Sequence, residues 1–156
     1  MSDREWVRPP LTEQQLSQSI EALGFQPNAS LVEVLQTVGN GGFGPGYGLM
    51  GLAGGAADDT GKNAVELYGT FRQTDADDPL WVWPEKVLPI CHWGCAIYSC
   101  VDCTSDSGGM VTWDPNQLEN DGSAQEGLFP LGISFEQWIK DWGEGVDLSS
   151  KIYPDG

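Results

Sequence analysis

The sequence predicts an α+β domain, with helices at both ends of the chain and strands between them. Three observations carry that prediction. Two capped segments with apolar faces open the chain. A third closes it. Between them the hydrophobic period shortens to two, the mark of a strand.

Residues 1–11 read as an arm that includes Pro9-Pro10, residues 12–148 as one domain, and residues 149–156 as a tail. Thr12 opens the first helix, with Gln15 three positions later as a capping box. Leu16, Ile20 and Leu23 share a face, and Gly24 ends the segment. Ser30 and Glu33 form a second box, with Leu31, Val34, Leu35 and Val38 as the buried stripe and Gly39 as the stop. The glycine tract that follows asks for backbone with positive φ, which costs glycine little.

Residues 65–71 alternate, with Val65, Leu67 and Gly69 against Glu66, Tyr68 and Thr70, and are expected to form a strand. Asp75-Ala76-Asp77-Asp78-Pro79 is an acidic loop, after which Trp81-Val82-Trp83-Pro84 returns the chain to the core. Residues 96–101 and 110–113 are further strands, and residues 116–127 are polar enough to be a loop. Ser134 and Gln137 make the third capping box. Phe135, Trp138, Ile139 and Trp142 form the apolar face of the final helix, stopped by Gly143.

Composition narrows function. The chain has 156 residues, 40% of them hydrophobic, and a formal net charge of -16. Such a field repels nucleic acids and anionic membranes and attracts cationic partners. The start Met1-Ser2-Asp3-Arg4-Glu5-Trp6 lacks the apolar region of a secretory signal, so a cytoplasmic protein is expected. Cys91, Cys95, Cys100 and Cys103 are then expected to be reduced thiols.

The chemical motifs fail one by one. Gly46-Tyr47-Gly48-Leu49-Met50-Gly51 fits a dinucleotide fingerprint, but a helix leads in where a strand is required. Gly61-Lys62 fits the end of a phosphate loop, yet Ala56 and Asn63 occupy its other key positions. Zinc needs two paired knuckles, and only Cys100 and Cys103 have that spacing. Cys91, His92 and Cys95 could complete a set, but residues 95–100 read as one strand that points its ends to opposite faces. His92 is the only histidine, and Cys91 beside it points away in extended backbone. Ser105-Asp106-Ser107-Gly108-Gly109 is a turn lacking the first glycine of a protease motif. The acidic segments at Asp75 and Asp114 lack the glycine and glutamate of a calcium loop. Nothing singles out a glycosidase-like pair among the 23 acids. No catalytic residue, metal or cofactor is assigned.

A capped helix runs into Asn40-Gly41-Gly42, and a Trp-Pro pair follows. Val87-Leu88-Pro89-Ile90 and Trp93-Gly94-Cys95-Ala96-Ile97-Tyr98 come next, leading to Asp102, and Ser134-Phe135-Glu136-Gln137-Trp138-Ile139 closes the series. This order of pieces resembles the SUKH superfamily, which includes fungal cell-wall synthesis regulators and many bacterial toxin-immunity proteins. The resemblance spans residues 12–145. It implies a central mixed or antiparallel sheet flanked by N-terminal and C-terminal helices, with no catalytic residues. It also implies a protein partner: a cognate toxin, often a nuclease, or the target of a regulatory scaffold. The chain departs from the family in an insertion over residues 50–61, which carries Asp58-Asp59, and in its four cysteines. If the partner is a basic toxin, the expected contacts are Asp75, Asp77 and Asp78 beside Trp81 and Trp83, with Asp58 and Asp59 second.

Overall fold

A computed structural model describes residues 7–73, 83–117 and 127–153. Among them are four α-helices and one four-stranded sheet. The helices are α1 (Glu13–Leu23), α2 (Ala29–Thr37), α3 (Ala64–Arg72) and α4 (Phe135–Gly143). The strands are β1 (Val87–Gly94), β2 (Ile97–Asp102), β3 (Gly109–Trp113) and β4 (Leu128–Ser134), in the order β1-β2-β3-β4 and antiparallel throughout. The expected α+β architecture is present, and its sheet is antiparallel rather than mixed.

Helix α1 forms as expected. Thr12 Oγ1 accepts from Gln15 N at 3.1 Å, Gln15 Oε1 accepts from Thr12 N at 3.0 Å, and Gly24 closes the helix at φ 84°. Helix α2 starts two residues earlier than expected. Asn28, not Ser30, is its N-cap: Oδ1 accepts from Leu31 N at 3.1 Å while Nδ2 donates to Asp106 O at 3.1 Å. The amide both ends the helix and ties it to the β2–β3 turn, which a serine hydroxyl is too short to do. Leu31 and Leu35 are fully buried, but Val38 lies past the last turn and is exposed.

The expected strand over 65–71 is helix α3. Asn63 and Glu66 form a reciprocal capping box, with Asn63 Oδ1 accepting from Glu66 N at 3.0 Å and Glu66 Oε1 from Asn63 N at 3.1 Å. Ala64, Leu67 and Tyr68 then fall on one buried face at helical spacing. Over so short a segment the two periods overlap, and the cap decides between them.

Strand β1 is buried along its first six residues. It gives no alternation to read, because both faces are covered. Its Pro89 sits beside a register shift between Pro89 and Cys91, where a missing N–H is tolerated. Helix α3 packs on β1 and α1 on α3, while α4 follows β4, touches β3 and meets α2. Trp83 fills the centre: its ring lies 4.7 Å from Phe71 and 5.2 Å from Trp113, and Nε1 donates to Val87 O at 2.8 Å. Ser134 caps α4 by accepting from Gln137 N at 3.1 Å. Gln137 turns its side chain to Asp141 instead of closing a box. Phe135 and Trp138 are buried, whereas Trp142 at the end of the same face is exposed.

The segment after α4 joins the core. Leu148 opens a short 3₁₀ turn (Leu148–Lys151) and is buried, Thr112 Oγ1 donates to Ile152 O, and Tyr153 OH donates to Asp114 Oδ2. At the other end, Leu11 N donates to Leu35 O at 2.9 Å and Arg8 N to Gly41 O at 3.0 Å.

Candidate functional site

The glycine tract builds the site through hydrogen bonds, not through phosphate binding. Asn40 is buried and holds the loop from inside: Oδ1 accepts from Leu52 N at 2.9 Å and Nδ2 donates to Ala53 O at 3.0 Å. Gly51 packs so closely on it that an added Cβ would stand 2.2 Å from Asn40 O. The loop then lies along the free edge of β1, with Tyr47 N donating to His92 O at 3.0 Å, Met50 N to Ile90 O at 2.7 Å, and Leu49 bridging Cys91. At Gly46 (φ 61°) a Cβ would meet His92 O at 2.7 Å, so only glycine lets the loop come this near.

The result is a stack of three rings. Tyr47 stands 5.5 Å from His92, and His92 stacks on Tyr98 at 4.8 Å with 28° between planes. Tyr47 is 77% exposed and His92 only 7%. Two acids from the insertion border the stack. Asp58 Oδ2 accepts from Tyr98 OH at 2.7 Å, and Asp59 Oδ1 lies 3.6 Å from His92 Nδ1. A cleft of about 460 Å³ opens here, lined by Tyr47, Met50, Asp58, Asp59, His92 and the β1–β2 turn.

The two acids play different parts. Asp58 Oδ1 also accepts from Thr60 N at 2.9 Å, Thr60 Oγ1 at 2.5 Å and Lys62 N at 3.2 Å, so its lone pairs are filled by its own loop. Partial burial pushes its carboxyl up, but hydrogen bonds from Thr60, Tyr98 and the Lys62 backbone outweigh this and hold it below the usual carboxylate range. Tyr98 shifts the opposite way, raised by burial and by its bond to the Asp58 carboxylate. Asp59 keeps 72% of its side chain in solvent and makes no hydrogen bond among the described residues.

The rim is strained. Cys95 (φ 53°) and Ala96 (φ 64°) form a two-residue loop between Gly94 and Ile97, with both residues in the left-handed region that a type I′ hairpin requires. Asn116 Nδ2 braces it by donating to Cys95 O at 3.0 Å. Cys95 is thus a turn residue and exposed, not the start of a strand, and that corrects the expectation that residues 95–100 are one continuous strand. All four thiols are unbridged. Burial pushes Cys91 and Cys100 far up and Cys103 up to about 11. Cys91 Sγ donates to Pro45 O at 3.2 Å, which makes it a packed donor under the glycine loop, not a nucleophile for His92.

A second opening of about 470 Å³ shares Tyr47 and runs to Trp93, Trp142, Val146 and Asp147. Tyr47 and Trp142, two exposed large apolar side chains, therefore line one groove.

The expected contact residues are dispersed. Asp75, Asp77, Asp78 and Trp81 lie outside the described residues. Trp83 is 1% exposed and belongs to the core, so it offers no ring to a partner. Asp58 and Asp59 border the cleft. Arg72, the base nearest the acidic loop in sequence, pairs with Glu85 at 3.6 Å and donates to Trp83 O. Tyr47, His92 and Trp142 join the site without having been expected there. The one available signal for His92 was its uniqueness in the chain.

An antiparallel sheet with helices around it, a buried Asn40 corner and clefts walled by rings and acids define a small α+β domain. The SMI1 / KNR4 family (SUKH-1) profile matches residues 10–141, and the chain belongs to that family. No curated protein and no solved structure matched the chain. No helix among the described residues is long and apolar enough to cross a membrane.

Proposed function

We propose that this protein is a non-catalytic, cytoplasmic binding module that neutralises a cognate toxin, in the manner of the immunity proteins of its superfamily. The observation that carries this reading is the groove shared by Tyr47 and Trp142, two exposed aromatic side chains beside the Asp58-Asp59 cleft on a chain of net charge -16. Aromatic anchors ringed by charge are what interface hot spots are made of. An acidic surface covers the cationic cleft of a nuclease and speeds encounter by roughly tenfold to a thousandfold. Asp75, Asp77 and Asp78 belong to this steering field.

Co-expression with candidate toxin reading frames from the neighbouring genes tests the proposal. Growth should be restored and the two chains should purify as a stoichiometric complex. Toxicity unrelieved, with no complex, refutes the reading. A tight complex with a non-toxic neighbour would instead establish a regulatory scaffold. Replacing Asp75, Asp77 and Asp78 with Asn should slow association at low salt and flatten its salt dependence.

A further inference from the structure

We infer that the cleft beside His92 receives one arginine side chain from the partner protein, with Asp59 as its counter-ion and the exposed ring of Tyr47 as its stacking wall. This deepens the proposed function by naming the chemistry that one cleft recognises.

Three observations converge. His92 is more than nine-tenths buried, yet among the described residues neither ring nitrogen makes a hydrogen bond and no fully buried side-chain nitrogen or oxygen is left unpaired. Its nitrogens therefore open into the cleft that the ring lines. Tyr47 offers an exposed ring above it, held there by the close approach of Gly46 to β1. Asp59 supplies a carboxylate with no hydrogen bond of its own, while Asp58 is saturated and serves to fix the loop. Among the described residues no Lys or Arg lines the cleft.

A cation fits this charge, and its shape follows from the exposed Tyr47 ring. A guanidinium is flat, stacks on aromatic faces and presents a fork of N–H donors to a carboxylate. An ammonium is a strongly hydrated point charge that gains less from a planar wall.

The inference rests on the binding-module reading, but its test needs no toxin: a missing arginine response leaves the immunity reading standing, and a failed toxin rescue leaves the cleft's response to arginine measurable. The chain is titrated at low salt with N-acetyl-arginine amide, and the Hε1 proton of its only histidine is followed by NMR. A saturable shift is expected, with affinity on the order of millimolar. The uncharged citrulline analogue should give none, and the lysine analogue should bind several-fold more weakly. Asp59→Asn should weaken arginine binding about threefold to fivefold, the scale of an exposed ion pair. Tyr47→Ala should weaken it by a similar factor. Because both side chains are exposed, both variants keep the wild-type spectrum elsewhere. An unmoved His92 signal, an equal response to citrulline or to lysine, or titrations unchanged in both variants would each overturn the assignment.

Discussion

Two aspartate–tyrosine pairs are built alike and placed differently. Asp58 accepts from Tyr98 at the β1–β2 end, and Asp114 accepts from Tyr153 beyond β3. Each carboxylate also accepts from its own loop, Asp58 from Thr60 and Lys62, and Asp114 from Asn116 N at 2.9 Å and Gln117 Nε2 at 3.3 Å. Around Asp114 nothing is left open: it is 1% exposed, and the pair pins the C-terminal segment to the domain. Around Asp58 the same chemistry braces a loop whose next residue, Asp59, stays in solvent beside a nearly buried imidazole. A saturated carboxylate is scaffold wherever it stands, and what marks the open end is the neighbour it leaves unsaturated.

The largest test of that contrast is aromatic. Trp138, 2% exposed, anchors α4 on the closed side, and Trp138→Ala should cost about 3–5 kcal/mol in a denaturant titration. Trp142, one turn on and exposed, should cost far less on the same substitution. Equal losses would mean that the groove beside Trp142 is closed by packing.

The carboxylates come next. Asp114→Asn should destabilise by about 1–3 kcal/mol, since it unbalances a buried set of donors. Asp58→Asn should cost less, because its loop is half in solvent and water replaces lost partners. The acid limb separates them further. Burial pushes the Asp114 carboxyl up, yet bonds from Tyr153, Asn116 and Gln117 prevail, so both carboxyls sit below their ordinary 3.8 in the folded state. Their contribution is thus full above the unfolded value and lost as pH falls through the folded one. Stability should drop below about pH 4, and the double variant should show a flatter acid limb. An acid limb unchanged in the double variant would assign that loss to other carboxylates.

What was legible follows the same division. Caps are local, so α1 and α4 could be read from Thr12 with Gln15 and from Ser134 with its apolar face. The glycine tract after Asn40 was legible as backbone that needs positive φ, which Gly41, Gly42, Gly44, Gly46 and Gly48 adopt. Strands β1 and β4 were not, because β1 is apolar on both faces and β4 carries Pro130 and Gly132 in seven residues. Helix α3 was read with the wrong period because Asn63 was weighed as a failed phosphate loop and not as a cap. The cleft was beyond reach for another reason. It joins Tyr47, Asp59 and His92 from three separate segments, and a local pattern cannot show pairing that the sheet edge creates.

The rim of the open end gives the next smaller effect. Cys95 and Ala96 hold positive φ without being glycine, at about 1–2 kcal/mol for each residue. Asn-Gly is the pair this turn favours. Cys95→Asn with Ala96→Gly should therefore stabilise the protein by about 1–2 kcal/mol, seen as a higher denaturation midpoint with an unchanged slope. A loss of stability would show that the turn geometry is set by the Asn116 brace and not by its own two residues.

Tyr47→Ala should have the smallest effect of all on stability and so separates site from scaffold. The ring is 77% exposed, and the loop beneath it is held by backbone bonds to His92 O and Ile90 O that the substitution leaves in place. Exposed substitutions of this kind stay within about 0.5 kcal/mol. The ring also covers one face of His92, so its removal should shift the His92 NMR signals by loss of ring current while the denaturation midpoint holds. If the midpoint instead fell by about 2 kcal/mol or more, Tyr47 would be the keystone of the glycine loop. The open end would then be scaffold like the closed one, and its aromatic wall would have no claim to recognition.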